Sequence, residues 1–110
     1  AEAAHLAALQ SFWERRDRTW LPFALENIAD LRLAQERPIE ALTLFATAQR
    51  IRHDDGFLTY TLNQTAQDSI EQRLRALLST DEYDTAWSRG WDASGENLVF
   101  LITEALAASG

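Results

Sequence analysis

Apolar residues return along this chain at the three- and four-residue spacing of α-helices, and no stretch alternates as a half-buried strand would. Leu6, Leu9, Phe12 and Trp13 mark a first helix over 2–16, broken at Asp17 and Arg18. A second opens at Thr19, a candidate cap, with Pro22 in a first turn that needs no N–H from it. Its apolar face is Ala24, Leu25, Ile28 and Leu31, and it stops at Gln35 or Glu36 because Pro38 disfavours helical geometry at Arg37. The third helix, 38–52, carries Ala41, Leu42, Phe45 and Ala48 on one stripe. Leu44 and Ile51 flank that stripe, so this helix is expected to have neighbours on more than one face.

His53, Asp54, Asp55 and Gly56 are read as its end, with Gly56 free to take the left-handed closing conformation. A fourth helix over 62–78 repeats Leu62, Ala66, Ile70, Leu74 and Leu77. Ser79 or Thr80 then caps a fifth over 81–89, whose Asp81 and Glu82 suit a helix start, and Gly90 is expected to stop it. A last helix follows Ser94 with Leu98, Leu101, Ile102, Ala105 and Leu106 on its buried stripe. The fold class expected is all-α, five to six helices in a single domain over 1–110, with residues 80–108 as a C-terminal cap.

Composition narrows the chemistry. The 110 residues contain no cysteine, and all 10 basic residues are arginine. Disulfides, thiolate metal sites and lysine chemistry are thereby excluded, and a reducing cytoplasmic setting is expected. A net charge of −7 repels phosphate backbones and anionic lipid surfaces, so direct contact with nucleic acid or membrane is not expected. No apolar run is long enough to span a bilayer. The lack of any methionine, even at position 1, reads as a segment of a longer protein.

Ala41, Phe45 and Ala48 spell A-x3-F-x2-A on a helix that follows another helix, which resembles the second half of a tetratricopeptide (TPR) repeat. The best repeat window, 22–55, has the length of about 34 residues that such a unit needs. Ile28 and Ala29 then occupy the Leu-Gly positions and Leu25 the tryptophan position. Arg32 departs from the usual tyrosine, Glu36 from the turn glycine and His53 from the closing proline. The resemblance implies antiparallel helix pairs stacked as TPR-like repeats.

A longer likeness covers 11–106. The order ERRDR, helix, AQERP-x2-AL-x2-FATAQRIR, loop, polar helix, DEYDTAWSRG and final helix resembles the C-terminal helical repeats of large bacterial signal-transducing regulators. Those are LuxR-type, SARP-type and adenylate-cyclase-linked proteins that join such repeats to a nucleotide-binding ATPase module. Tyr83, Ala86, Trp87 and Gly90 carry the most specific part of the match. Its motifs are structural, so the resemblance implies a transcriptional or signalling context without supplying a catalytic site or a cofactor.

Each chemically suggestive cluster has a plainer explanation. His53, Asp54 and Asp55 could bind Mg or Ca, but adjacent residues at a helix end rarely converge on one ion. His5 has no evident acid or nucleophile partner. Arg15, Arg16 and Arg18 beside Trp13 and Trp20 could stack a base, yet Glu14 and Asp17 dilute the patch. Of four tryptophans, Trp87 and Trp13 are assigned to the core, Trp91 to its edge, and Trp20 to contact with a neighbouring repeat or partner. By the repeat register, Phe23, Glu26, Asp30, Leu33 and Ala34 would line a concave surface. The carboxylates Glu26 and Asp30 disfavour an acidic tail and favour a basic or apolar segment.

The expected function is therefore a non-enzymatic scaffold for protein–protein or effector interaction, without metal or cofactor. Its partner surface would comprise Trp20, Phe23, Glu26, Asp30 and Leu33. A self-associating structural module is the alternative, and a metal-binding helical bundle a lesser one, since such bundles need a Glu-x-x-His on each of two helices and the chain carries a single one, Glu2/His5.

Overall fold

A computed structural model of the chain describes residues 2–17, 20–54, 64–93 and 101–104. They form helices α1 (Glu2–Glu14), α2 (Leu21–Ala34), α3 (Pro38–Asp54), α4 (Gln64–Leu77) and α5 (Thr80–Trp91), with a further helical turn at 101–104. Among the described residues there is no strand, and no helix is long and apolar enough to cross a membrane.

The helix ends follow local chemistry. At the start of α5, Ser79 Oγ accepts from the Glu82 N–H at 3.2 Å, while the Glu82 carboxylate accepts from the Ser79 N–H at 3.0 Å. This reciprocal capping box satisfies two donors that a helix start leaves orphaned. Both α1 and α2 end in the same six-residue closure. Asp17 N–H reaches Phe12 O at 2.9 Å behind Arg16, and Arg37 N–H reaches Arg32 O at 2.8 Å behind Glu36. The closure needs a left-handed residue, and Arg16 (φ 52°) and Glu36 (φ 62°) supply it without being glycine. At α2 the capping position is Trp20, which offers no side-chain cap; the expected cap Thr19 lies outside the described residues.

Helix α3 is the centre of the molecule: Ala41 through Ala48 are all buried. Neighbours on several faces, as its sequence implied, account for this. Helices α2 and α3 form an antiparallel hairpin closed near its turn by Arg32 against Glu40 and farther along by Glu26 against Arg52. Helix α1 lies on α2, with Leu9 fully buried and Leu6, Phe12 and Trp13 partly so. The second large partner of α3 is α5 and not α4, and these two run the same way, since the pairs Phe45/Trp87, Thr47/Gly90 and Arg50/Trp91 advance together.

That crossing corrects the reading of Gly90. It is no helix terminator but lies inside α5, and a Cβ there would sit 2.1 Å from Thr43 O and 2.8 Å from Ala46 Cβ. Only a hydrogen fits between the two backbones. The buried Thr47 Oγ1 lies 3.0 Å from Thr43 O and 2.9 Å from Gly90 O, so one hydroxyl proton serves an intrahelical and an interhelical acceptor. Two further differences concern ends. Helix α3 continues through His53 and Asp54, and Leu77, expected on the buried stripe of α4, is 61% exposed. Helix α4 buries Ile70 and Leu74, and the partly buried Leu78 continues that stripe four residues on, which leaves Leu77 facing outward. Gly56, Leu62, Leu98 and Leu106 lie outside the described residues.

Candidate partner-binding surface

Ala41 and Ala48 are fully buried and Phe45 is nearly so, its ring centroid 6.4 Å from that of Trp87 on α5. Tyr83, Trp87 and Trp91 recur every fourth residue of α5 and stack in a column, with centroids 6.3 and 5.7 Å apart. Arg75 covers the Tyr83 end at 4.2 Å, and His53 and Arg50 lie on Trp91 at 5.3 and 5.5 Å. Tyr83 and Ala86 are buried, whereas Trp87 and Trp91 are partly covered. Burial pushes the Tyr83 hydroxyl above its ordinary 10.0, with Glu71 reinforcing the shift and Arg75 opposing it.

The surface expected on α2 is not a single exposed face. Glu26 is buried in a two-pronged ion pair with Arg52, both N–H···O contacts at 2.5 Å, and it also accepts from Gln49 at 2.9 Å. Leu33 is buried in the core. Phe23 is partly buried beneath the Arg52 guanidinium, 4.7 Å from its ring centroid, and Asp30 pairs with Arg73 of α4 at 3.0 Å. Trp20 is 53% exposed and leans on Phe23 at 5.4 Å, and Asp30 and Ala34 are exposed as well. Glu26 is thus a structural carboxylate and bears on no partner's charge.

The other clusters resolve into local pairs. Asp54 is gripped by Arg50 Nε at 3.0 Å, which holds its carboxyl below the ordinary 3.8, and His53 Nδ1 lies 3.5 Å from it. No group of three or more metal-ligating side chains occurs among the described residues; Asp55 lies outside them. Arg16 lies 3.8 Å over Trp13 and donates to the Trp13 carbonyl, and Arg15 lies 5.4 Å over Phe12, so these cations cover their own helix.

The recess that the structure does build had no place among the sequence candidates. Ile39, Thr43 and Arg89 are common to two adjoining hollows between the start of α3 and α5, of about 310 and about 260 Å³. The first reaches Asp81, Glu82, Thr85 and Ala86; the second reaches Glu40, Leu44, Leu101 and Glu104. Ile39 is 47% exposed in this groove, although Thr43, Leu44, Ala86 and Leu101 around it are buried. The signal was present in sequence: Ile39 stands one residue behind Pro38, on a face of α3 opposite to Ala41 and Phe45. Among comparisons with known proteins, no family model, no curated protein and no solved structure matches this chain.

Proposed function

We propose that this chain is a non-catalytic helical scaffold that binds a protein partner at the Ile39 groove. The observation that carries the reading is the pairing of a partly exposed isoleucine with a preformed recess whose walls are two tightly locked helices. Rigid walls lower the ordering cost of binding, and an apolar anchor set in a polar rim is the usual anatomy of a small protein interface. The buried carboxylate Glu26, by contrast, answers Arg52 within the fold.

A TPR-like origin for the α2–α3 hairpin, in a bacterial cytoplasmic regulator with an ATPase module elsewhere in the protein, is part of the same proposal. Ala41, Phe45 and Ala48 support it by their burial in the hairpin. The parallel packing of α5 on α3 sets it apart from a plain succession of antiparallel neighbours. A photo-crosslinking residue at position 39, in the full-length protein in its own cells, tests the function. A defined partner adduct that Thr85→Arg abolishes is expected. Adducts only between copies would favour the self-associating module, and no adduct would overturn the scaffold reading at this site.

A further inference from the structure

Resting on that reading, we infer that the groove selects a basic amphipathic helix, one that sets an apolar side chain against Ile39 and a lysine or arginine one turn away, over Asp81 and Glu82. Its four carboxylates are not equivalent. Glu40 lies 3.4 Å from Arg32 and 3.6 Å from Arg37, and Glu104 lies 3.8 Å from Arg89. Asp81 and Glu82 have no cation among the described residues; the contacts of Glu82 are with Ser79. The unanswered negative charge therefore sits at one end of the groove. Arg89, common to both hollows, lies farther along, eight helical steps or about 12 Å along α5 from Asp81.

This polarity gives direction as well as sign. Thr85 and Ala86, which share the hollow with Ile39, lie about one turn beyond Asp81 and Glu82. A partner helix lying along α5 meets both features with a cation and an apolar residue four positions apart, which share one face. An acidic helix would place carboxylates against Asp81 and Glu82 in a chain already at −7. Like-charge contact of that kind excludes wrong partners more strongly than the matched pair attracts the right one.

The test uses the full chain, uniformly labelled with nitrogen-15, titrated with three synthetic twelve-residue helices: leucine–lysine, leucine–glutamine and leucine–glutamate. The leucine–lysine helix should shift the amides of Ile39, Thr43, Thr85 and Ala86 and bind about tenfold more tightly than the leucine–glutamine helix. The leucine–glutamate helix should not bind. Asp81→Asn should weaken the leucine–lysine helix about two- to fivefold, as loss of one exposed charge pair does. Ile39→Ser should weaken leucine–lysine and leucine–glutamine alike. Equal binding of the lysine and glutamine helices at these amides would sink the charge preference and leave the scaffold reading standing. Shifts mapping elsewhere, no binding, or self-association that buries Ile39 would overturn both.

Discussion

Glu36 sits at φ 62°, in the left-handed region where a side chain costs roughly 1 kcal/mol or more and glycine costs little. Glu36→Gly is therefore expected to stabilise the protein by about 1 kcal/mol in urea denaturation, a gain trimmed by the larger freedom of glycine in the unfolded chain. A loss of stability would show instead that the Glu36 side chain holds the turn. The buried pair Glu26–Arg52 behaves differently, because Arg52 Nε has no hydrogen-bond acceptor among the described residues. Removing one partner, as in Glu26→Ala, should cost about 3–5 kcal/mol by stranding the other charge, while Glu26→Leu with Arg52→Met should cost less than either single change. A double-mutant cycle by thermal denaturation reads the difference. This pair was legible and was passed over: Pro22, Glu26, Ala29 and Leu33 form one helical stripe, and Arg52 extends Ala41, Phe45 and Ala48 by four. Charged residues are so seldom buried that the sequence alone favours Glu26 on an exposed partner surface instead.

Between elements, the contact that decides the fold is the crossing of α3 and α5 at Gly90. Glycine to alanine in a helix interior ordinarily gains about 1 kcal/mol. Here the new methyl would meet Thr43 O at 2.1 Å, so the backbones must part and the Thr47 bond to Gly90 O must stretch. Gly90→Ala is expected to lose about 3 kcal/mol, measurable as a lower urea midpoint, with Trp87 fluorescence reporting the disturbed α5 column. Serine would be worse. Helix starts were readable in advance because Ser79 and Glu82, or Pro38, act within a turn of their own position. Gly90 was not, since a glycine that ends a helix and one that admits a neighbour look alike without knowledge of the neighbour. The same holds for the Ile39 groove, whose walls come from segments that no local pattern ties together.

The whole molecule has a Cα radius of gyration of 12.7 Å and extents of 36 × 33 × 27 Å, close to the roughly 13 Å of a compact chain this long. Two hydrogen-bonded surface carboxylates predict a loss of stability in acid. The Ser79 N–H bond holds Glu82 below its ordinary 4.5, and the Arg50 bond holds Asp54 below 3.8. Depressed values mean that both contributions are fully present above those ordinary values and are lost as pH falls through the lower folded ones. The thermal midpoint should accordingly decline as pH drops from about 5 to below 4, and Glu82→Gln should flatten part of that decline. An unchanged slope would remove Glu82 from the account. Parallel packing of α3 and α5 has one more consequence. Two helices laid side by side in the same direction bring their positive dipole ends together, and that end is relieved by carboxylates in each first turn, Glu40 on one and Asp81 and Glu82 on the other. The acidity of the groove is then set by topology: these carboxylates are placed there by the positive field of their own backbones, and the negative charge they hold beyond what that field balances is what a visiting cation would meet.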